Sequence, residues 1–311
     1  MYEPLFQPLQ IKNITFRNRI VMPPMVVNRG IHQPAGWDWY ARHARGGVSL
    51  VIVEAADSVL FGKEYTVENL KPLVEGIHQG GALAAIQIFP GWRGQKTQPV
   101  DLSLEDICAL LDQYRITAEI CLAAGFDGLE PHGAHGFLLN QFFSPEQNRR
   151  SDAYGGTLEG RMRLALEICD LLQPLVAQAG ALLLYRHSPV RAGYGIPESL
   201  ALAKALIERG LDILDLSPSS KNAPGDRAAP FMGQGIPVIT VNELDQPARA
   251  LEVLREKRAD LVAIGRGLIA DPDWPLKVQE DRLDEIVQCL YCDDCFACLD
   301  RGEEVACSEW R

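Results

Sequence analysis

Eight short apolar, β-branched runs are spaced a few tens of residues apart along the chain, with stretches of helical periodicity between them. They are RIVMPPM (19–25), LVIVEA (50–55), ALAAIQIF (82–89), DGLEPHG (127–133), ALLLYRH (181–187), LDILDLS (211–217), IPVITV (236–241) and DLVAIGR (260–266). Helix starts are marked by Ser103 with Asp106 three residues on, and by Thr157 ahead of LEGRMRLALEICDLL. The joints repeat as well. AGFDGLE, RGLDILD and KRADLVAI each close a helix, pass through Asp127, Asp212 or Asp260, and enter an apolar strand. Strands apolar on both faces and joined by helices are parallel and covered on both sides. Eight such units predict an α/β fold of the (β/α)8 TIM-barrel type. An open doubly wound sheet is the alternative, weakened because no G-x-G-x-x-G follows an early strand. Residues after about 275 exceed what a barrel needs, which divides the chain into a 1–275 barrel and a 276–311 C-terminal extension.

The extension is unusual in its thiols. Five of the chain's eight cysteines fall within CLYCDDCFACLDRGEEVAC (289–307). The 311 residues are 47% hydrophobic, enough for a sizeable core, yet no run approaches eighteen uninterrupted apolar residues. The start, MYEPLFQPLQIKN, has neither the basic nor the apolar region of a secretory leader. A soluble, cytoplasmic protein with no membrane partner is expected, and the net charge of -11 speaks against nucleic acid. In a reducing compartment clustered thiols hold metal or do redox chemistry. C-x2-C-x2-C with a later fourth thiol is how a [4Fe-4S] cube is usually held. Cys289, Cys292, Cys295 and Cys307 make one such set and leave Cys298 spare; Cys292, Cys295, Cys298 and Cys307 make another and leave Cys289 spare. Structural zinc is the alternative for four thiolates, although its sites usually join two separated C-x2-C pairs. Cys108, Cys121 and Cys169 sit in apolar helical stretches and read as core.

A barrel gathers its active site at the C-terminal ends of the strands. Those ends carry Pro24 and Met25, Glu54, Gln87, His132 with His135, Arg186 with His187, Ser217, Asn242, and Gly265 with Arg266. The two imidazoles of HGAHG could both donate to one anionic or electron-rich group, though their spacing alone fits surface polarity equally well. No Glu lies between them on a helical face, which disfavours a zincin-type metal site. Gly265 and Arg266 could cradle a phosphate, although such a pair is common in loops. Arg186, ending an apolar strand, needs a partner to offset its desolvation.

RNRIVMPPM, RHARGGVSLVIVEA, HGAHGFLLNQFFSPEQNRRSDAYGGTLEGRMRLALEI and ADLVAIGRGLIADP resemble the Old Yellow Enzyme family of FMN-dependent barrels, over nearly the whole chain. The C-terminal cysteines make it similar to the iron-sulfur branch, which includes 2,4-dienoyl-CoA reductase, enoate reductase and trimethylamine dehydrogenase. The resemblance implies that Pro24, Met25 and Val26 lie beside the flavin ring, Ala56 and Gln87 near its pyrimidine edge, and Arg186 near N1 and the C2 oxygen, where it would stabilise the anionic reduced flavin. It further implies that His132, also counted among the cofactor contacts, and His135 grip the substrate's carbonyl oxygen. Asn242, Gly265 and Arg266 would hold the phosphate. It favours Cys289, Cys292, Cys295 and Cys307 as ligands of a [4Fe-4S] cluster.

The implied activity is reduction of an activated C=C bond in a small conjugated carbonyl compound or CoA thioester, by a homo-oligomer. Electrons would come from NAD(P)H directly, or through the cluster from a separate electron-transfer protein or subunit, because the chain stops four residues after Cys307. There are departures. Phe137 stands where many relatives carry a proton-donating Tyr, which leaves Tyr185, His187, Tyr194 or water as the proton source. Val26 replaces a Cys or Thr, Asn242 and Glu243 replace glycines, and Pro90 replaces a His. Two alternatives remain: an amine-type dehydrogenase passing electrons outward, which Phe137 favours, and a non-catalytic electron-transfer or scaffold subunit.

Overall fold

The computed structural model describes residues 1–90, 98–191, 193–218 and 227–310. A hairpin of β1 (Leu9–Ile11) and β2 (Ile14–Phe16) comes first. Eight strands follow: β3 (Ile20–Met22), β4 (Leu50–Asp57), β5 (Leu83–Phe89), β6 (Gly128–Gly133), β7 (Leu182–His187), β8 (Ile213–Leu216), β9 (Val238–Val241) and β10 (Leu261–Ala263). They close into a barrel in which every neighbouring pair is parallel and β10 joins β3. Each of the eight apolar runs holds one of these strands. The helices are α1 (Pro34–Arg45), α2 (Val67–Gln79), α3 (Leu104–Ala124), α4 (Leu138–Phe143), α5 (Leu158–Ala179), α6 (Ile196–Ile207), α7 (Pro247–Arg255), α8 (Arg266–Ala270), α9 (Trp274–Gln279) and α10 (Asp294–Asp300). No described helix is long and apolar enough to cross a membrane.

Local signals behave as their chemistry dictates. The Ser103 hydroxyl accepts from the Asp106 amide at 3.1 Å and the Asp106 carboxylate accepts from the Ser103 amide at 2.8 Å, closing a capping box at the start of α3. Thr157 caps α5 through the Gly160 amide. The recurring Asp has a structural purpose. Asp127, Asp212 and Asp260 each donate their own amide to the carbonyl of one residue on the preceding strand, and accept that residue's amide on their carboxylate. The residues so clamped are Ala84, Leu183 and Val238, and the double bond pins the register of each strand pair.

Inside the barrel, Val21, Leu50, Ile52, Ala85, Leu182, Leu184, Ile213, Ile239, Leu261 and Ala263 form one apolar cluster, into which the hairpin inserts Ile11 and Phe16. Outward residues of the same strands join the helices in a second, larger cluster. The period of two then orders each inward row along its strand. Gly128, Glu130 and His132 succeed one another on β6; Leu182, Leu184 and Arg186 on β7; Ile213 and Asp215 on β8, with Ser217 just beyond it. An apolar plug therefore sits beneath a polar layer, and the polar layer beneath an open mouth.

Candidate functional site

A cavity of about 650 Å³ occupies the mouth. Pro24, Met25, Val26, Gln87, His132, His135, Arg186, Asn242, Gly265 and Arg266 all line it, so residues spread over more than 240 positions of sequence converge there. Ala56 does not. The β4–β5 register shifts between Val53 and Ala56, the alternation of faces slips by one, and Ala55 lines the cavity while Ala56 packs into the core.

The floor is a charged layer. Gln87 Nε2 donates to Glu130 Oε1 at 2.8 Å, and Arg186 Nη1 donates to Asp215 Oδ2 at 2.9 Å. Gln87 is in register with Glu130, and Arg186 with Asp215. All four side chains are buried. Burial, and then the neighbouring Asp215, push the Glu130 carboxyl well above the usual range against the pull of Arg186. Burial raises Asp215 too, although Arg186 opposes it. One guanidinium thus faces two buried carboxyl groups that interact with each other, and a proton retained on Glu130 balances the charge. Glu130 Oε2, Asp215 Oδ1 and Arg186 Nε have no hydrogen-bond partner among the described residues. Neither carboxyl was read as part of the site from sequence. The usable signal was parity, because both share the inward face with His132 or Ser217.

Above the floor stand the imidazoles. The Ala134 amide donates to His132 Nδ1 at 3.2 Å, and His135 Nε2 lies 2.8 Å from Ser217 Oγ. The facing nitrogens, His132 Nε2 and His135 Nδ1, are 3.4 Å apart. Burial, then the Arg186 charge, lower His132 to about 3 and His135 to about 2, so both rings are neutral at physiological pH. Phe137 meets His132 edge-on at 5.2 Å and Phe89 at 5.0 Å, and both phenyl rings line the cavity. The three proton donors considered in place of the missing tyrosine are not among its lining residues. Tyr185 and His187 lie on the outward face of β7, with His187 Nε2 at 2.8 Å from Ser199 Oγ. Tyr194 donates its hydroxyl proton to the Ser188 carbonyl and accepts from Asn140. Gly133 gives the outward tyrosine its room, since a Cβ there would stand 2.1 Å from Tyr185 Oη.

At the far end of the cavity Asn242 and Glu243 both have positive φ, 118° and 51°, the backbone geometry that favours glycine. The Glu243 carboxylate turns to Arg249 at 3.1 Å. Arg266 is held from the C-terminal segment: Asp293 pairs with it at 3.0 Å, and the Tyr291 ring centroid lies 4.4 Å from its guanidinium. The Tyr291 hydroxyl donates to Asp245. Tyr291, Cys295, Phe296, Leu299 and Val305 all contribute to the cavity wall, and the Val305 amide bonds the Val27 carbonyl at 3.0 Å. The segment expected as an appendage thus builds part of the site.

Of the four thiols expected to bind metal, Cys289 is within electrostatic reach of Cys295 and Cys307. Among the described residues no group of three or more His, Cys, Asp or Glu is placed to hold a metal ion. Cys289 Sγ accepts the Tyr291 amide at 3.4 Å, Cys292 Sγ lies 3.4 Å from Ser308 Oγ, and Cys295 lines the cavity. Cys298, the spare thiol of the favoured set, is buried with Arg301 Nη2 at 3.7 Å. Cys295 and Cys298 lie on α10, Cys289 and Cys292 precede it, and Cys307 follows it. As the side chains stand, Cys289, Cys292, Cys295 and Cys307 are not arranged as a metal-ligand set, and no reaction step is routed through a cluster.

Glu54 on β4 supports the site from behind. Its Oε2 accepts the Val27 amide at 2.6 Å, and burial pushes the carboxyl from its usual 4.5 to about 7. Because the folded value is the higher one, the folded state binds the extra proton, and stability present below about 4.5 is lost as pH rises through about 7. Glu54→Gln keeps an oxygen for the Val27 amide and abolishes this titration. The difference in unfolding free energy between wild type and variant, followed by urea denaturation from pH 4.5 to pH 8, is expected to change by on the order of 3 kcal/mol, with wild type losing ground as pH rises. A difference that stays flat with pH would show that Glu54 ionises normally.

The family model described as "NADH:flavin oxidoreductase / NADH oxidase family" matches residues 4–98 and 93–285. An NADH oxidase of Thermoanaerobacter brockii is 34% identical over 93% of this chain, which spans 52% of that relative's length. An NADPH dehydrogenase of Bacillus licheniformis is 31% identical over 87% of this chain and 92% of its own. Among solved structures, a 2-naphthoyl-CoA reductase bound to 2-naphthoyl-CoA superposes with a TM-score of 0.88 at 23% identity, covering 99% of this chain and 57% of the other. The chain therefore spans about half the length of some relatives and nearly all of others. With the barrel closed as above and a model of one family matched along nearly its whole length, the chain belongs to the NADH:flavin oxidoreductase / NADH oxidase family of enzymes.

Proposed function

We propose that this chain binds FMN in the barrel mouth and, with NADH or NADPH as electron donor, reduces the activated C=C bond of a conjugated carbonyl compound or enoyl-CoA-like thioester. The observation that carries the reading is the pair of neutral imidazoles set side by side above a floor containing Arg186. FMN fits the residues present on three counts. The cavity volume lies within the roughly 300–1,000 Å³ of small-molecule sites. Arg186 Nε is a buried donor without a partner in its floor. The positive φ of Asn242 and Glu243 leaves the backbone open to close approach. In this reading Pro24, Met25, Val26, Gln87, His132 and Arg186 hold the ring, with Ala55 in the place first given to Ala56. Asn242, Gly265 and Arg266 take the phosphate, Arg266 exchanging Asp293 for it.

FMN supplies hydride transfer from the nicotinamide to the β-carbon of the acceptor. The chain supplies the rest. His132 and His135 hold the carbonyl oxygen and stabilise the negative charge that gathers on it. Phe89 and Phe137 wall the site with apolar surface and limit water. With Tyr185, His187 and Tyr194 placed outside the cavity, solvent water delivers the proton to the α-carbon.

The same proposal includes the finer expectations: a 1–275 FMN-binding barrel, a 276–311 segment holding a [4Fe-4S] cluster, an electron-transfer partner, a homo-oligomeric assembly and a cytoplasmic location. The C-x2-C-x2-C spacing supports the cluster, and iron with acid-labile sulfide in stoichiometric amounts would establish it. The catalytic reading is tested by reducing the flavin anaerobically with NADH or NADPH and titrating with enones, enoates and enoyl-CoA thioesters. Reoxidation by members of that panel is expected. Silence across it, with bleaching of oxidised flavin by amines instead, would replace the reductase with the outward-flowing dehydrogenase.

A further inference from the structure

We infer that Ser217 is a positioning residue that sets the tautomer of His135, so that His132 and His135 both present N–H to a single oxygen in the cavity. The inference deepens the reading just proposed and rests on it for the identity of that oxygen; the tautomers themselves follow from hydrogen bonds within the chain.

Arg186 Nη2 lies 3.2 Å from Ser217 Oγ and can only donate, so the serine oxygen accepts there. A hydroxyl has one proton to give. Among the described residues the one acceptor hydrogen-bonded to it is His135 Nε2 at 2.8 Å. The oxygen has a second lone pair, but if it accepted from His135 as well, the buried hydroxyl proton would have no acceptor among the described residues; we therefore assign Nε2 of His135 as the acceptor and Nδ1 as the protonated nitrogen. His132 is set from the other side, because the Ala134 amide donates to its Nδ1 at 3.2 Å, which puts the ring proton on Nε2. The two nitrogens facing each other across 3.4 Å are thus both donors. Neither can accept from the other, and both rings line the cavity, tilted at 76° to one another. They share one kind of partner: an atom with two lone pairs, such as a carbonyl, carboxylate or nitro oxygen. An ammonium group offers no lone pair and would also meet the Arg186 charge. The relay from guanidinium through hydroxyl to imidazole therefore selects oxygen acceptors over amine substrates.

The alternative arrangement is concrete. If His135 carried its proton on Nε2, its Nδ1 would accept from His132 Nε2, the pair would bond to itself, and the cavity would lose both converging donors. Removing the Ser217 hydroxyl should allow this arrangement.

The test reads the tautomers directly by two-bond nitrogen–proton NMR of the full-length holoenzyme labelled with 15N-histidine. The signals are assigned with His132→Asn and His135→Asn. Wild type is expected to show His132 protonated on Nε2 and His135 on Nδ1. Ser217→Ala should move His135 to the Nε2-protonated pattern while His132 keeps its own, and Ser217→Thr, which retains a hydroxyl, should restore wild type. The reoxidation of reduced flavin by a conjugated ketone should fall about tenfold in kcat/KM in Ser217→Ala and recover in Ser217→Thr. His135 protonated on Nε2 in wild type, or an unchanged His135 pattern in Ser217→Ala, would overturn the inference whatever the kinetics. The expected tautomers with no conjugated acceptor reduced would instead uphold the relay and count against the proposed reaction, so the two failures are distinguishable.

Discussion

Arg186→Ala is expected to cost about 3–5 kcal/mol of unfolding free energy and to leave the protein without flavin. The cost is electrostatic before it is catalytic. Arg186 is the cation bonded to Asp215, and Glu130 shares that fully buried layer. Without the guanidinium, Asp215 loses the charge that opposes its desolvation, and Glu130 loses the same support. Both carboxyls then titrate higher still in the folded state. Stability is retained at low pH, where both are protonated in folded and unfolded chains alike, and is lost as pH rises through the raised values, so the deficit should be larger at pH 8 than at pH 5. Adding Asp215→Asn to Arg186→Ala removes the uncompensated charge and should return most of the stability while flavin retention stays lost. Urea denaturation and flavin absorbance of the two variants separate the roles. A single variant as stable as wild type at pH 8 would mean that the floor carries no net charge problem for Arg186 to solve.

The second large effect belongs to the imidazoles. Replacing both His132 and His135 with alanine should slow reoxidation of reduced flavin by a conjugated carbonyl acceptor by about 10²–10³-fold, since each removed donor leaves part of the developing oxygen charge unsupported. Flavin absorbance should persist, because Gln87, Arg186 and the distal loop still hold the cofactor after the His132 contact is lost. The pH profile is a further check. Burial and the nearby Arg186 hold His132 at about 3 and His135 at about 2, so neither ring changes charge between pH 5 and pH 8. The wild-type acceptor half-reaction should therefore show no inflection from these rings over that range. An inflection that vanishes in His132→Ala or His135→Ala would show a ring working as a proton donor rather than as a neutral hydrogen-bond donor.

Strand order, helix caps and most of the cavity lining were legible in the chain alone because each is encoded within a few residues. An apolar run names its strand, and Ser103 with Asp106 closes a cap across three positions. Alternation along β7 already separated Arg186 on one face from Tyr185 and His187 on the other, and attention to it would have removed both outward side chains as proton donors. The same parity on β6 and β8 would have put Glu130 and Asp215 into the polar layer. The site was sought at the strand ends, and Glu130 and Asp215 lie within β6 and β8, one inward position below His132 and Ser217.

By itself the sequence determined eight parallel strands covered by helices on both faces, because apolar runs between capped helices must be buried on both sides, and it located most of the residues that reach the mouth. Tertiary structure alone decided the rest. The slip between Val53 and Ala56 exchanged Ala56 for Ala55, Asp293 took hold of Arg266 from 27 positions along the chain, and Ser217 met His135 from 82 positions away. These contacts depend on where barrel closure brings distant strands and the returning C-terminal segment. No local preference of any residue specifies them, because their geometry exists only once the ring has closed.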